Sequence, residues 1–144
     1  MTLDQILAEW EADCKVDKTE LAEESIKLPQ LHSKYLKISK VEAPFLRKLR
    51  TEYDELYKVK WQYYLGHLSR EELSELGWEP INFKILRSDV DIYLNGDKDL
   101  NQIKIRIELQ EQKLKTLEEI IRSVNNRNWT IRNALEWEKF KVGI

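Results

Sequence analysis

Lys58 and Lys60 stand beside Tyr57, Trp61, Tyr63 and Tyr64 in the stretch YDELYKVKWQYYLG, residues 53–66. Cations interleaved with flat rings are what binding to an unpaired nucleic-acid strand requires. Ammonium groups neutralise phosphates, and exposed bases stack on aromatic faces without regard to sequence. Lys58, Lys60, Trp61, Tyr63 and Tyr64 are therefore the candidate residues for binding single-stranded DNA (ssDNA). The competing reading makes the same run the last turns of a long helix whose rings belong to a core, because aromatic side chains carry much burial energy.

Other chemistry is poorly provided for. His32 and His67 lack metal-ligand spacing with each other or with Cys14, so no metal site is expected. No GxxxxGK[ST] or GxGxxG run is present, which removes the P-loop and dinucleotide folds and leaves no cofactor to expect. Pairs such as Glu23–Glu24 and Glu118–Glu119 read as solvated helix faces. The expectation is a non-enzyme. The single cysteine excludes an internal disulfide framework and fits a reducing compartment. Asp4, Glu9 and Glu11 fall where a secretory leader should be apolar, and no run approaches the roughly 20 apolar residues of a membrane span. A soluble cytoplasmic protein without membrane contact is expected.

The elements that must position the basic and aromatic run are helices. Charged residues make up 35% of the chain against only four glycines and three prolines, a profile of long helices in a single all-α domain, residues 1–144. Formal net charge is −2, so no global attraction to nucleic acid exists. Charge is instead blocked: −6 over residues 1–26, +5 over 27–60, −4 over 61–99 and +3 over 100–144. Such alternation sets local binding faces and favours self-complementary assembly.

Thr2 with Gln5 opens a helix over about residues 3–13, and Asp17 with Glu20 repeats that signature. Helical spacing then runs to about residue 67, with kinks or short breaks expected at Pro29 and Pro44 and a stop at Gly66. Lys60 falls where the next apolar seam position is due. Residues 68–96 form a connecting segment: a short helix at 70–76 between Ser69 and Gly77, a loop at 78–84, and a brief turn at 89–94 capped by Ser88. Asp97 opens the last element. Leu100, Ile103, Ile107, Leu114, Leu117, Ile121 and Val124 occupy heptad positions, with Gln110 the polar exception, and are the candidate oligomerisation residues. Asn125, Asn126 and Asn128 interrupt this pattern before a final amphipathic helix containing Trp137 and Phe140. An antiparallel hairpin with the earlier long helix is the intramolecular use of the seam, and the two uses are compatible.

The order of these features resembles the UvsY recombination mediators of T4-like bacteriophages. The likeness rests on SKYL at 33–36, LYKVKWQYYLG at 56–66 and GDKDL at 96–100 before a heptad helix. Its most specific part is K-x-[KR]-x-x-Y-Y-x-G, met here by Lys58, Lys60, Tyr63, Tyr64 and Gly66. The resemblance implies a DNA recombination and repair protein that binds ssDNA as a ring-like homo-oligomer of six or seven subunits. It implies partners too: a phage recombinase, and the phage single-strand DNA-binding protein that the recombinase replaces, in the cytoplasm of the infected host. Lys58 and Lys60 match the family's DNA-contacting basic pair, and replacing both is expected to weaken ssDNA binding while leaving helicity unchanged. The rival from another class is a helical scaffolding protein whose heptads bind a partner helix and which has no nucleic-acid activity.

Overall fold

A computed structural model describes residues 1–144, which form five helices and no strand. The helices are α1 (Leu3–Asp13), α2 (Leu21–Tyr64), α3 (Arg70–Leu76), α4 (Val90–Asn95) and α5 (Lys98–Lys141). The all-α expectation holds, and most of the helix boundaries have the local causes anticipated for them. Thr2 and Gln5 form a reciprocal capping box at the start of α1. Ser69 caps α3 by accepting from the Glu72 N–H at 3.2 Å. Gly66 and Gly77 adopt φ of +75° and +69°, the left-handed stop available to glycine without strain. At the end of α2, His67 N–H donates to the Gln62 carbonyl and Gly66 N–H to that of Tyr63, which satisfies carbonyls left over in the last turn.

Three local expectations change. Asp17 does not cap α2; its carboxylate holds a separate turn through Thr19, and the helix begins at Leu21. Ser88 is not the cap of α4, whose N-cap Asp89 makes no side-chain bond. Of the kinks or short breaks expected at Pro29 and Pro44, no break occurs: α2 is one helix through both prolines. Each proline leaves one carbonyl without its helical partner, but both prolines face solvent, where water can serve instead. Finally, α5 continues through Asn125–Asn128 to Lys141, so the separate terminal helix is part of one 44-residue element. Asparagine is a poor helix former by only a fraction of a kcal/mol. Val124 and Ile131, 2% and 6% exposed, hold the helix to the core on either side of the interruption.

The chain divides into two compact units. The first comprises Met1–Pro44 and Gln110–Ile144. Its core gathers Ile6, Tyr35, Leu117, Ile120 and Val124, with Trp10 set edge-on against the Tyr35 ring. Tyr35 donates to Asp13 Oδ2 at 2.8 Å, and Arg127 donates to the Asp13 carbonyl at 2.7 Å, tying α1 to α2 and α5. Gln110, the polar residue of the heptad seam, donates to the Glu42 backbone carbonyl at 2.9 Å and to Glu42 Oε2 at 3.0 Å. Lys113 joins the same carboxylate at 3.1 Å. A buried amide with so specific a partner selects one register for the antiparallel α2 and α5 segments of this unit.

The second unit is Phe45–Leu109. Ile85, Val90, Leu94 and Leu100 form its core, and Tyr53, Leu56, Trp61, Tyr64, Leu65 and Ile81 pack around them. The helical hairpin is antiparallel here as well: Lys104 lies over the Tyr53 ring, and Lys60 meets the first turn of α5. This unit holds the whole basic and aromatic run, residues 53–66.

Candidate nucleic-acid interface

Lys58 and Lys60 are two positions apart on one helix, which is about 200° of rotation. They therefore leave α2 on opposite sides. Lys58 is exposed and forms no ion pair. Lys60 is only 5% exposed. Its Nζ lies 3.1 Å from Asp97 Oδ2 and 2.8 Å from Asp99 Oδ2, and sits 4.0 Å from the centroid of the Trp78 ring. The paired carboxylates and the ring face both offset the cost of desolvating this cation.

Asp97 is the centre of this arrangement. Oδ1 accepts from the Leu100 N–H at 3.0 Å and so caps α5. Oδ2 takes the Lys60 ammonium and the Tyr64 hydroxyl. Burial by itself would raise the Asp97 pKa; the bonds from Tyr64, the Leu100 amide and Lys60 outweigh it and hold the carboxyl below the usual carboxylate range. Burial likewise works against the Lys60 charge, and its bonds to Asp99 and Asp97 overcome that and raise its pKa. Burial, then the bond to Asp97, push the Tyr64 hydroxyl far above its ordinary value and keep it a neutral donor. One carboxylate thus joins the end of α2 to the start of α5.

A depressed carboxyl pKa stabilises the fold above the unfolded value, and the contribution is lost as pH falls through the folded one. Asp97 in the second unit and Asp13 and Glu42 in the first all carry this sign. Stability is expected to be level through neutral pH and to fall on acidification below about pH 4. Replacing Asp97 with Asn keeps the cap but removes the charge, and should shrink the acid dependence. Urea titrations at pH 7 and pH 3 on both proteins check this, and an unchanged acid dependence in the variant would remove Asp97 from the account.

The rings have distinct placements. Trp61 packs half-buried on the second core, with His67 against its edge. Tyr63 donates its hydroxyl to the Glu79 carbonyl and contacts both Trp78 and Tyr64, at centroid distances of 5.0 and 5.1 Å. The structure therefore brings Lys60, Tyr63 and Tyr64 together around Asp97 and Trp78, and leaves Lys58 apart from them. The residues the sequence reading missed are Asp97 as an ion-pair partner, Asp99 and Trp78. The available signal was the lysine itself: a charge on an apolar seam needs a buried counter-charge, and the GDKDL segment carries two carboxylates at a helix start.

The candidate oligomerisation residues are largely occupied within the chain. Leu100, Leu117 and Val124 are buried, Leu114 and Ile121 pack against the first core, and Ile103 and Ile107 are half-buried. Beyond Ile131, α5 has no such cover. Leu135, Trp137 and Phe140 are exposed, with Trp137 stacked on Phe140.

The family model for the recombination, repair and ssDNA binding protein UvsY matches residues 9–144. Three crystal forms of the bacteriophage T4 recombination mediator protein UvsY share the fold. One is 19% identical, with a TM-score of 0.86 and 99% of each chain covered. A second is 18% identical, with a TM-score of 0.85, covering 97% of this chain and 99% of that one. The third, also 18% identical, has a TM-score of 0.83 and covers 95% of this chain and 98% of that one. No curated protein sequence matches the chain. No helix is long and apolar enough to cross a membrane.

Proposed function

Because the chain belongs to the UvsY family of recombination, repair and ssDNA-binding proteins, we propose that it is a recombination mediator that binds ssDNA and helps a phage recombinase replace the single-strand DNA-binding protein in the infected cell. The observation that carries this reading is the family match over residues 9–144. The exposed Lys58 at a ring-bearing helix end supports it. Of the five residues nominated for DNA, Lys58 is the direct phosphate contact in this reading. Lys60 acts from beneath, holding Tyr64 through Asp97 and meeting the Tyr63 and Trp78 rings directly. Trp61 anchors the same helix end to the core.

Loading another protein requires no catalytic step, only a preference for one state of the DNA over another. A single exposed lysine per subunit binds weakly. Several on a homo-oligomer, a hexamer or heptamer in this proposal, raise the effective concentration and replace affinity by avidity. The exposed apolar end of α5, with Trp137 and Phe140, supports an assembly surface there, outside the heptad seam that the chain uses for its own core.

Lys58→Ala tests the reading by fluorescence anisotropy with oligo(dT) across a salt series. Removing one phosphate contact per subunit should weaken binding and lower the salt slope by about 0.7 for each contact engaged. Helicity and molar mass by light scattering should not change. A slope equal to that of the parent protein would take Lys58 out of the interface.

A further inference from the structure

The rings around Asp97 do not end at Tyr64. Tyr93 of α4 packs on Tyr64 at 5.7 Å between centroids, and Phe83 packs on Tyr93 at 6.1 Å. With Tyr63 and Trp78 this makes a continuous series of five rings drawn from α2, the connecting segment and α4. Tyr63 and Tyr64 are engaged by hydrogen bonds, and Lys60 sits over Tyr63 and Trp78. Phe83, at the outer end, is 61% exposed.

The backbone around Phe83 is held in place. Ile81 and Ile85, two positions before and after it, pack into the second core, while Lys84 and Arg87 project to solvent and form no ion pair. A fixed segment that turns Ile81 and Ile85 inward and presents a ring close in sequence to two unpaired cations has no use for that ring in its own core. Asp89 and Asp91 follow closely, so the local field is mixed. The two cations can therefore act only as direct contacts, not through a broad positive potential.

We propose that Phe83, backed by Tyr93 and followed by the exposed Lys84 and Arg87, is a second ssDNA contact, in which a nucleobase stacks on the Phe83 ring and the adjoining phosphates meet the two cations. The inference rests on the ssDNA-binding reading above and adds to it a surface on a different element. An unpaired strand suits the site better than a duplex, because only an unstacked base offers its face to a ring. An apolar protein partner would cover Phe83 and the neighbouring exposed Leu86 but would gain nothing from two unpaired cations beside them.

Phe83→Ala, Phe83→Trp and Lys84→Ala/Arg87→Ala, each in the full chain, distinguish these cases. Against oligo(dT), Phe83→Ala should weaken binding about fivefold or more with the salt slope unchanged, and Phe83→Trp should restore it. Against an abasic deoxyribose-phosphate oligomer, Phe83→Ala should bind as the parent protein does, an outcome that a merely structural role would not produce. The double cation variant should lower the salt slope by about 1.4. Unchanged oligo(dT) affinity in Phe83→Ala, alongside a weakened Lys58→Ala, would overturn the second contact and leave the first standing. Failure of the parent protein to bind either oligomer would overturn both. A change of molar mass in Phe83→Ala would assign the face to a second copy of the chain instead.

Discussion

Lys60→Ala is expected to destabilise the second unit by about 3–5 kcal/mol, the range for removing one partner of a buried ion pair. The value should lie toward the lower end, because Asp97 keeps its bonds from Tyr64 and the Leu100 amide. Asp99 is half exposed and returns to water without large cost. The uncompensated charge sits at the first turn of α5, so amide exchange should accelerate there and at the end of α2 before it does in the first unit. Loss of ssDNA binding in this variant would follow from loss of the ring arrangement, whereas Lys58→Ala should lose binding with its structure intact. A cycle with Asp97→Asn makes the test specific. Asparagine preserves the cap and removes the charge, so Lys60→Met with Asp97→Asn should recover much of the stability that Lys60→Met alone gives up. Additive losses would mean that the two groups do not interact. The expectation that both lysines could be replaced together without structural effect is thereby revised for Lys60.

The second large effect belongs to Leu117. Its side chain is wholly buried among Ile6, Tyr35, Ile120 and Val124 of the same chain. Leu117→Ala should cost about 2–5 kcal/mol, the lost transfer energy plus the cavity left among neighbours that relax only in part. Ile105, an exposed residue of the same helix, should tolerate alanine within about 0.5 kcal/mol. Urea titrations with light scattering across a dilution series check where the energy resides. A residue buried within the chain loses stability with dissociation on dilution unchanged, while one whose burial comes from a partner subunit makes the assembly dissociate at higher concentration. Equal tolerance at Leu117 and Ile105 would contradict the core described for the first unit.

Helix positions were legible in the sequence because their causes are local. The capping box at Thr2, the Ser69 cap and the glycines at 66 and 77 act within four or five residues, and each ends or begins a helix where expected. Helix continuity was less legible. Pro29, Pro44 and the asparagines after Val124 carry local penalties, but a long amphipathic helix is stabilised by packing summed along its length. The prolines lie on the solvent side, where the missing bond is cheapest. Which interface the heptad seam serves was also hidden, since an apolar repeat names a buried face without naming what buries it. Leu117 and Val124 are covered by α1 and α2 of their own chain, and Trp137 and Phe140 are not covered by anything in it.

By itself the sequence determined an all-helical chain, the ends of α1 and α3, a cationic and aromatic turn before Gly66, and a likeness to one recombination family. Tertiary structure alone decided which of two neighbouring lysines is a free charge. Spacing put Lys60 on the apolar seam and Lys58 on the opposite side of the helix, but a seam position names no counter-charge. Only the arrival of Asp97 and Asp99 from the start of α5 makes one side a buried ion pair and leaves Lys58 on the other, facing water.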